Sequence, residues 1–285
     1  KSDEILLVAG KGHENTQDYG NKVINFSDKM VIKEIVKRKK FSKKKFSYQD
    51  SLLKEIFYPK KIKNANYNGV SINSKTVKKN DLFFAIKGQK NDGHKFAREA
   101  LQKGAVKLVI SKKTKQLPRS KTIKVKNTFL SLNNLAKVTR NKTLAHIIGI
   151  TGSVGKTTLK NLLGFALKNY GKVYHSPRSY NNKYGVPLSL SNLKKDTKYG
   201  IFEIGMNKKG EIEQLSKIVK PEIAIITNIS GAHFKNFDTL TDIANAKSEI
   251  INNITKGGFI ILNKDDNFFN YLSNKSKKKG VHVVS

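Results

Sequence analysis

Residues 147 to 169 read as a strand, a glycine-bearing loop and a helix in immediate succession. This unit constrains the fold more than any other stretch of the chain. Ile147-Ile148-Gly149-Ile150 is a short apolar run, the loop that follows carries Gly152 and Gly155, and Thr158 to Asn169 reads as a helix. Leu159, Leu162, Leu163, Ala166 and Leu167 recur at helical spacing and predict its buried face. Further strand-like runs follow at Tyr199 to Ile204, Glu222 to Thr227, Phe259 to Leu262 and Val281 to Val284. Strands alternating with helices predict an α/β domain with a mostly parallel, doubly wound sheet over residues 143–285. A smaller α/β domain is predicted over 46–142. Its signals are Leu82-Phe83-Phe84-Ala85-Ile86 and Val106-Lys107-Leu108-Val109-Ile110, with Phe96, Ala97, Ala100 and Leu101 at helical spacing between them.

The first 36 residues stand apart. They hold the apolar run Ile5-Leu6-Leu7-Val8-Ala9, a turn at Gly10-Lys11-Gly12 and a helix expected from Ser27-Asp28, with Ser27 as N-cap. Lys37-Arg38-Lys39-Lys40 and Lys43-Lys44-Lys45 then form a like-charge run. Such a run repels itself and reads as a linker over 37–45, the alternative being a basic helix end. The sequence starts at Lys1 rather than Met and stops directly after a strand. A piece of a longer chain is therefore expected.

The 285 residues carry 56 Lys and Arg against 21 Asp and Glu, a net charge of +35. A basic excess of this size raises the question of nucleic acid. Arginine, the residue suited to bidentate phosphate and guanine contacts, occurs only at Arg38, Arg98, Arg119, Arg140 and Arg178. The rest is lysine, accompanied by abundant asparagine. Both have A-rich codons, so a biased genome accounts for the pattern and no specific nucleic-acid partner is expected. The chain has no cysteine, which excludes disulfides and thiolate metal sites. No apolar run approaches the ~18 residues of a spanning helix. A cytoplasmic location is the default expectation.

The loop itself reads Gly152-Ser153-Val154-Gly155-Lys156-Thr157-Thr158. Glycines let a backbone fold tightly with its N–H groups turned inward, and the helix N-terminus adds partial positive charge. Lys156 at this spacing reaches β and γ phosphates, and the Thr157 hydroxyl suits Mg²⁺. ATP and Mg²⁺ are the cofactors implied. Glu203 closes an apolar strand, where open α/β sheets place ligands, and its hard carboxylate suits the same ion. His233 follows another strand. By itself a lone histidine is more often structural than a metal or phosphate ligand. Asn181 and Asn182 on their own read equally well as a turn.

The short form Gly-x-x-Gly-Lys-Thr-Thr resembles the Mur ligase family. The segments Asn181-Asn182-Lys183-Tyr184-Gly185-Val186-Pro187, Phe202-Glu203-Ile204-Gly205-Met206-Asn207, Thr227 to His233, Ala246-Lys247-Ser248-Glu249-Ile250 and Asn263-Lys264-Asp265-Asp266 follow in that family's order. The resemblance implies a nucleotide site built on Gly152, Ser153, Gly155, Lys156, Thr157, Thr158 and Asn263. It implies catalytic or metal roles for Lys156, Glu203, His233 and Lys247. Lys247 would serve as a carbamate, the alternative being a helix-surface lysine. Asn181 and Asn182 would lie near the muramyl-peptide substrate and the γ-phosphate.

Two more stretches resemble particular branches of the family. Lys79 to Gly88 and Asn91-Asp92-Gly93-His94-Lys95-Phe96 resemble the UDP-binding domain of the MurF-type ligases. Ser74, Asp92, Gly93 and His94 are the substrate contacts so implied. Taken alone, this stretch reads as an ordinary surface turn. The family usually shows Asp-Ser-Arg where this chain has Asn73-Ser74-Lys75, so an Asp–Arg ion pair is not available. Val8-Ala9-Gly10-Lys11-Gly12-His13-Glu14 resembles the C-terminal end of the MurE-type ligases, where Gly10 and Glu14 would touch the incoming amino acid; the bland reading is a tight turn. The resemblances together imply a MurE-type tail fused to a MurF-type ligase that joins D-alanyl-D-alanine to UDP-MurNAc-tripeptide through an acyl phosphate. A piece lacking the family's C-terminal domain is expected to bind substrates without turnover. A folylpolyglutamate-type ligase and a basic P-loop nucleic-acid-binding protein are the alternatives.

Overall fold

A computed structural model describes residues 16–18, 23–25, 52–53, 56–57, 66–88, 91–112, 117–231 and 236–285. The chain divides into two compact units, Lys1–Ser47 and Tyr48–Ser285. In the first, β1 (Thr16–Asp18) and β2 (Val23–Asn25) pair antiparallel, with Gln17 opposite Ile24. The Gly10–Glu14 turn, the helix expected from Ser27 and the basic run over 37–45 lie outside the described residues.

The second unit contains two all-parallel sheets. The smaller has the order β3 (Gly69–Ser71), β4 (Asp81–Phe84), β5 (Lys107–Ile110), β6 (Thr122–Lys124). Parallel sheets are covered on both faces, which is why β4 and β5 read as unbroken apolar runs. Successive side chains of β4 alternate between two cores. Leu82 and Phe84 pack with Val109, Ile123, Leu132 and Leu135 on one face. Phe83 packs with Leu108, Ile110, Ala97 and Ala100 on the other. The last two belong to α1 (Ala97–Gln102), and Leu132 and Leu135 to α2 (Thr128–Lys142). Asn127 caps α2 by accepting from Leu130 N at 2.9 Å.

The larger sheet has the order β12 (His282–Val284), β11 (Phe259–Leu262), β10 (Ile223–Ile226), β7 (His146–Thr151), β9 (Tyr199–Glu203), β8 (Val173–His175). From β7 the chain runs to the edge strand β8 and returns to β9 between them, then crosses to β10 on the other side of β7 and builds outward through β11 and β12. A doubly wound sheet opens a crevice at such a switch point, beyond the carboxyl ends of its strands. Here that crevice lies at the ends of β7, β9 and β10.

One face of this sheet is covered by α3 (Lys156–Ala166), whose Leu159 and Leu163 pack on Ile148, Ile150, Ile201 and Ile225. The sequence reading of this helix needs one correction. Leu162 is 61 % exposed and Ala166 is also exposed, whereas Lys160 and Gly164 are buried. At 100° per residue the buried stripe is rotated from the leucine-rich line toward Lys156, Lys160 and Gly164. The cause is close approach to β8: a Cβ on Gly164 would stand 2.7 Å from the His175 ring.

The other face carries α4 (Gly185–Ser191), α5 (Glu211–Val219) and α6 (Leu240–Ser248). Two helices serve both sheets. Ala136 of α2 and Val186 and Leu190 of α4 enter the large core, while Leu132, Leu135 and Leu188 enter the small one. The Asn192 side chain ties α4 to edge strand β3, accepting from Val70 N at 2.8 Å and donating to Val70 O at 2.9 Å. The last helix, α7 (Phe269–Lys278), packs beside β11 and β12.

Candidate functional site

The loop after β7 needs its glycines. Gly152 has φ +140°, and a Cβ there would fall 1.9 Å from Thr227 Oγ1. Gly155 has φ +82° at the N-cap of α3. The segment after β10 holds the loop from behind. Asn228 accepts from Ser153 N through its carbonyl and from Val154 N through its side chain, both at 3.0 Å. Ser153 Oγ donates to Ser230 O and accepts from Ser230 N, each at 2.9 Å. The Lys156 ammonium curls over the loop, donating to Gly152 O at 2.7 Å and Ser153 O at 3.0 Å. Burial lowers its pKa, and the charge of Glu203 opposes that shift.

Glu203 is 1 % exposed at the end of β9. Its Oε2 accepts from Thr157 Oγ1 at 2.8 Å and lies 3.5 Å from Lys160 Nζ. Its Oε1 accepts from Asn181 Nδ2 at 2.8 Å. Lys247, on α6 and only 2 % exposed, reaches the same cavity. Its pKa is lowered to about 7, first by burial and then by the charge of Lys156. Lys160 lies against the Glu203 carboxylate, Lys156 feels its charge, and Lys247 lines the same cavity. An excess of cations at a helix N-terminus is an anion site. The cavity has a volume of about 850 Å³, which suits a nucleotide.

Among the described residues no three His, Cys, Asp or Glu cluster in a way that would hold a metal by themselves. Thr157 Oγ1 and Glu203 Oε2 are nevertheless two hard oxygens 2.8 Å apart at the cavity. Mg²⁺ is typically held by one or two carboxylates, with phosphate and water completing its shell. This donor set fits an ion that arrives with phosphates.

A second cavity of about 640 Å³ opens on the small sheet, lined by Asn73, Ser74, Lys75, Gly93, Phe96 and Tyr184, among others. Phe96 is 41 % exposed there, an apolar face suited to stacking. Tyr184 lines both cavities. Asp92 and His94 support this wall from behind. His94 is buried; its Nδ1 lies 2.6 Å from Asp92 Oδ1 and its Nε2 accepts from Ser111 N at 2.9 Å. That pairing assigns the proton to Nδ1. It also fills the Nε2 lone pair, so the Asp92–His94–Ser111 row is a brace rather than a base and nucleophile. Burial raises the Asp92 pKa, but bonds from Lys112 and from the His94 N–H and ring outweigh it, holding the carboxyl well below the usual range. Asp92→Ala is expected to cost about 1–3 kcal/mol, the penalty of buried donors left unpaired. Urea unfolding at pH 7 measures it. The depressed pKa gives stability present above pH 4 and lost as acid protonates Asp92, so wild type and variant should converge at low pH.

Two family models match. The Mur ligase family catalytic domain matches residues 66–150, and the Mur ligase middle domain matches residues 150–285.

The chain belongs to the Mur ligase family.

Its similarity is to the MurF-like N-terminal and middle domains of that family. The UDP-N-acetylmuramoyl-tripeptide–D-alanyl-D-alanine ligase of Rickettsia prowazekii is 43 % identical over 205 residues, 72 % of this chain and 45 % of that protein. The crystal structure of MurF from Acinetobacter baumannii superposes with TM-score 0.72 at 29 % identity, covering 82 % of this chain and 52 % of that one. MurF ligase from Thermotoga maritima, solved in complex with ADP, gives TM-score 0.66 at 31 % identity over 78 % of this chain and 51 % of that one. The chain spans about half the length of the curated relatives it matches.

Most residues expected from Mur ligase motifs meet at the large cavity. Gly152, Ser153, Gly155, Lys156, Thr157, Thr158, Asn181, Asn182, Glu203 and Lys247 all line it. Asn263 does not. It is exposed at the end of β11, its side chain accepting from Asp265 N at 3.1 Å. Asp266 reaches inward instead, accepting from Ile229 N at 2.7 Å behind the loop. His233 lies outside the described residues. Ser74 and Gly93 line the smaller cavity, whereas Asp92 and His94 stand behind it. Sequence reasoning missed Lys160 and Tyr184. Lys160 had a signal: it falls one turn after Lys156, between the apolar positions of α3.

Proposed function

We propose that this protein is the ATP-dependent amide ligase that its relatives' names describe, adding D-alanyl-D-alanine to UDP-MurNAc-tripeptide in peptidoglycan-precursor synthesis. The observation that carries this reading is the pair of cavities meeting at Tyr184. One is built for phosphates by Lys156, Thr157 and the N–H groups at the start of α3. The other offers an aromatic face at Phe96 and polar groups at Ser74 and Asn73. A substrate with a nucleotide at one end and a carboxylate at the other spans such a pair.

In the proposed reaction the substrate carboxylate attacks the γ-phosphorus of ATP and ADP leaves. The amine of the dipeptide then displaces phosphate from the acyl phosphate, forming the amide and releasing a proton. Lys156 and the N–H groups that open α3 hold the β and γ phosphates, since those of Ser153 and Val154 already donate to Asn228. Thr157 and Glu203 would hold Mg²⁺, which neutralises charge on the transferred phosphoryl group. Asn181 fixes the Glu203 carboxylate, and Asn182, which lines the same cavity, is read as lying near the muramyl peptide. The protein contributes positioning and charge stabilisation. Lys247 is read as a carbamate donor and His233 as a further ligand. Residues 1–36 are read as a MurE-type tail, covalently fused. A cytoplasmic location accompanies substrates of this kind, and no described helix is long and apolar enough to cross a membrane.

The competing reading is polyanion binding through the net charge of +35. Titration with UDP-MurNAc-tripeptide and with single-stranded DNA at two salt concentrations separates them. Saturable binding of the UDP compound should persist at the higher salt, while DNA binding should fall steeply through counterion release. A salt-resistant, sequence-specific DNA complex with no uptake of the UDP compound would sink the ligase reading.

A further inference from the structure

We propose that Lys160 is a positioning residue of the phosphate site, an internal cation that holds the Glu203 carboxylate in place and occupies its charge until a divalent ion arrives with nucleotide. Lys160 is 0 % exposed, one helical turn beyond Lys156. Its Nζ lies 3.5 Å from Glu203 Oε2 and donates to the carbonyl of Arg178. Arg178 is one of three non-glycine residues described with positive φ, at +47°. One ammonium therefore joins the second turn of α3, the end of β9 and the segment leading to Asn181.

An isolated buried ammonium is costly, and even a buried ion pair is often no more stable than an apolar replacement. Leucine or methionine on α3 would pack against the same sheet. The use of a lysine here follows from what it faces. Glu203 is the one carboxylate in contact with the Thr157 hydroxyl, and its Oε2, the oxygen that hydroxyl bonds, is also the one nearest Lys160. A bare divalent cation approaching that oxygen meets Lys160 across it, with Lys156 and Lys247 on the same cavity. An ion escorted by phosphates brings the negative charge that offsets all three. The site is thus set to take metal with nucleotide and to leave free metal in solution. This inference rests on the reading that the cavity takes a nucleotide with a divalent ion. It does not depend on which acid or amine is joined.

The test uses Mn²⁺ as probe, with free ion measured by electron paramagnetic resonance, on wild type, Lys160→Met and Lys160→Arg, with and without ADP. Wild type is expected to bind Mn²⁺ alone at least about tenfold more weakly than in the presence of ADP. Lys160→Met should bind Mn²⁺ alone at least about tenfold more tightly than wild type. Lys160→Arg should return to the wild-type value, and adding Glu203→Gln to Lys160→Met should abolish the gain. A lysine with a purely structural role would leave Mn²⁺ affinity unchanged or weakened in Lys160→Met, and that result overturns the proposal. Should Lys160→Met fail to fold, wild type alone decides, since equal Mn²⁺ affinity with and without ADP also overturns it. Failure of ADP to bind wild type would instead count against the nucleotide reading, while the nucleotide-free comparison still tests Lys160.

Discussion

Lys156→Ala is expected to weaken ATP binding by about 100-fold, as loss of a hydrogen-bonded charge partner of a phosphate is worth roughly 1.5–3 kcal/mol. The ammonium bonds the carbonyls of Gly152 and Ser153, in a loop that opens on the cavity. Water can replace it there, so the fold should survive. The loop stays held from behind by Asn228, Ser230 and Thr227, which donates to Val154 O at 2.6 Å. Calorimetry on folded variant protein checks this. Unchanged ATP affinity would mean that phosphates are held elsewhere. The same substitution removes one of the two causes that lower the Lys247 pKa, so the Lys247 amine should titrate closer to the ordinary lysine value.

Lys247→Ala is expected to reduce ligation in the active enzyme on the order of 100- to 1000-fold, the scale of losing one preorganised electrostatic group. The proposal behind this number is that Lys247 adds CO₂ and becomes an anionic oxygen donor for Mg²⁺. Its place supports that reading. The amine is buried in the cavity wall, with its pKa lowered to about 7. An amine reacts with CO₂ only when unprotonated. Labelled bicarbonate should therefore give a carbamate signal near neutral pH that fades as pH falls through about 7, whereas an ordinary lysine would need a pH near 10. Unmodified protein carries the matching linkage. A lysine whose folded pKa lies below its unfolded value makes stability rise with pH between about 7 and 10.5. Short carboxylic acids should partly restore Lys247→Ala. Wild-type-like activity of that variant, or absence of any carbamate signal, would refute the role.

Much of this molecule is legible one segment at a time. Gly152 and Gly155 announce a loop because only glycine tolerates the backbone and the close approach found there. Leu82-Phe83-Phe84 announces a strand covered on both faces because parallel sheets bury both. Glu203 closing an apolar strand announces a ligand-facing carboxylate, since the carboxyl end of a strand is where such sheets open. These are local requirements, and each is written within a few neighbouring residues. The Mur-type order of motifs then collects Asn181, Glu203 and Lys247 into one expectation, though they are far apart along the chain.

Local patterning carries the alternation of strands and helices, the loop, and the kinds of polar group available to a phosphate site. Packing settles how those groups are charged and which way they face. The leucines of α3 pointed to Leu162 as core, yet close packing on His175 turned the helix and put Lys160 inside. Asp92 and His94 are expected as substrate contacts; the structure pairs them with each other and with Lys112 and Ser111, and puts Ser74, Gly93 and Phe96 on the cavity wall. Lys247 on its own is a lysine in a helix. Its pKa falls because α6 buries it in the wall of a cavity that also holds Lys156. Burial and charge proximity depend on residues distant in sequence, and no periodicity within one helix or strand records them.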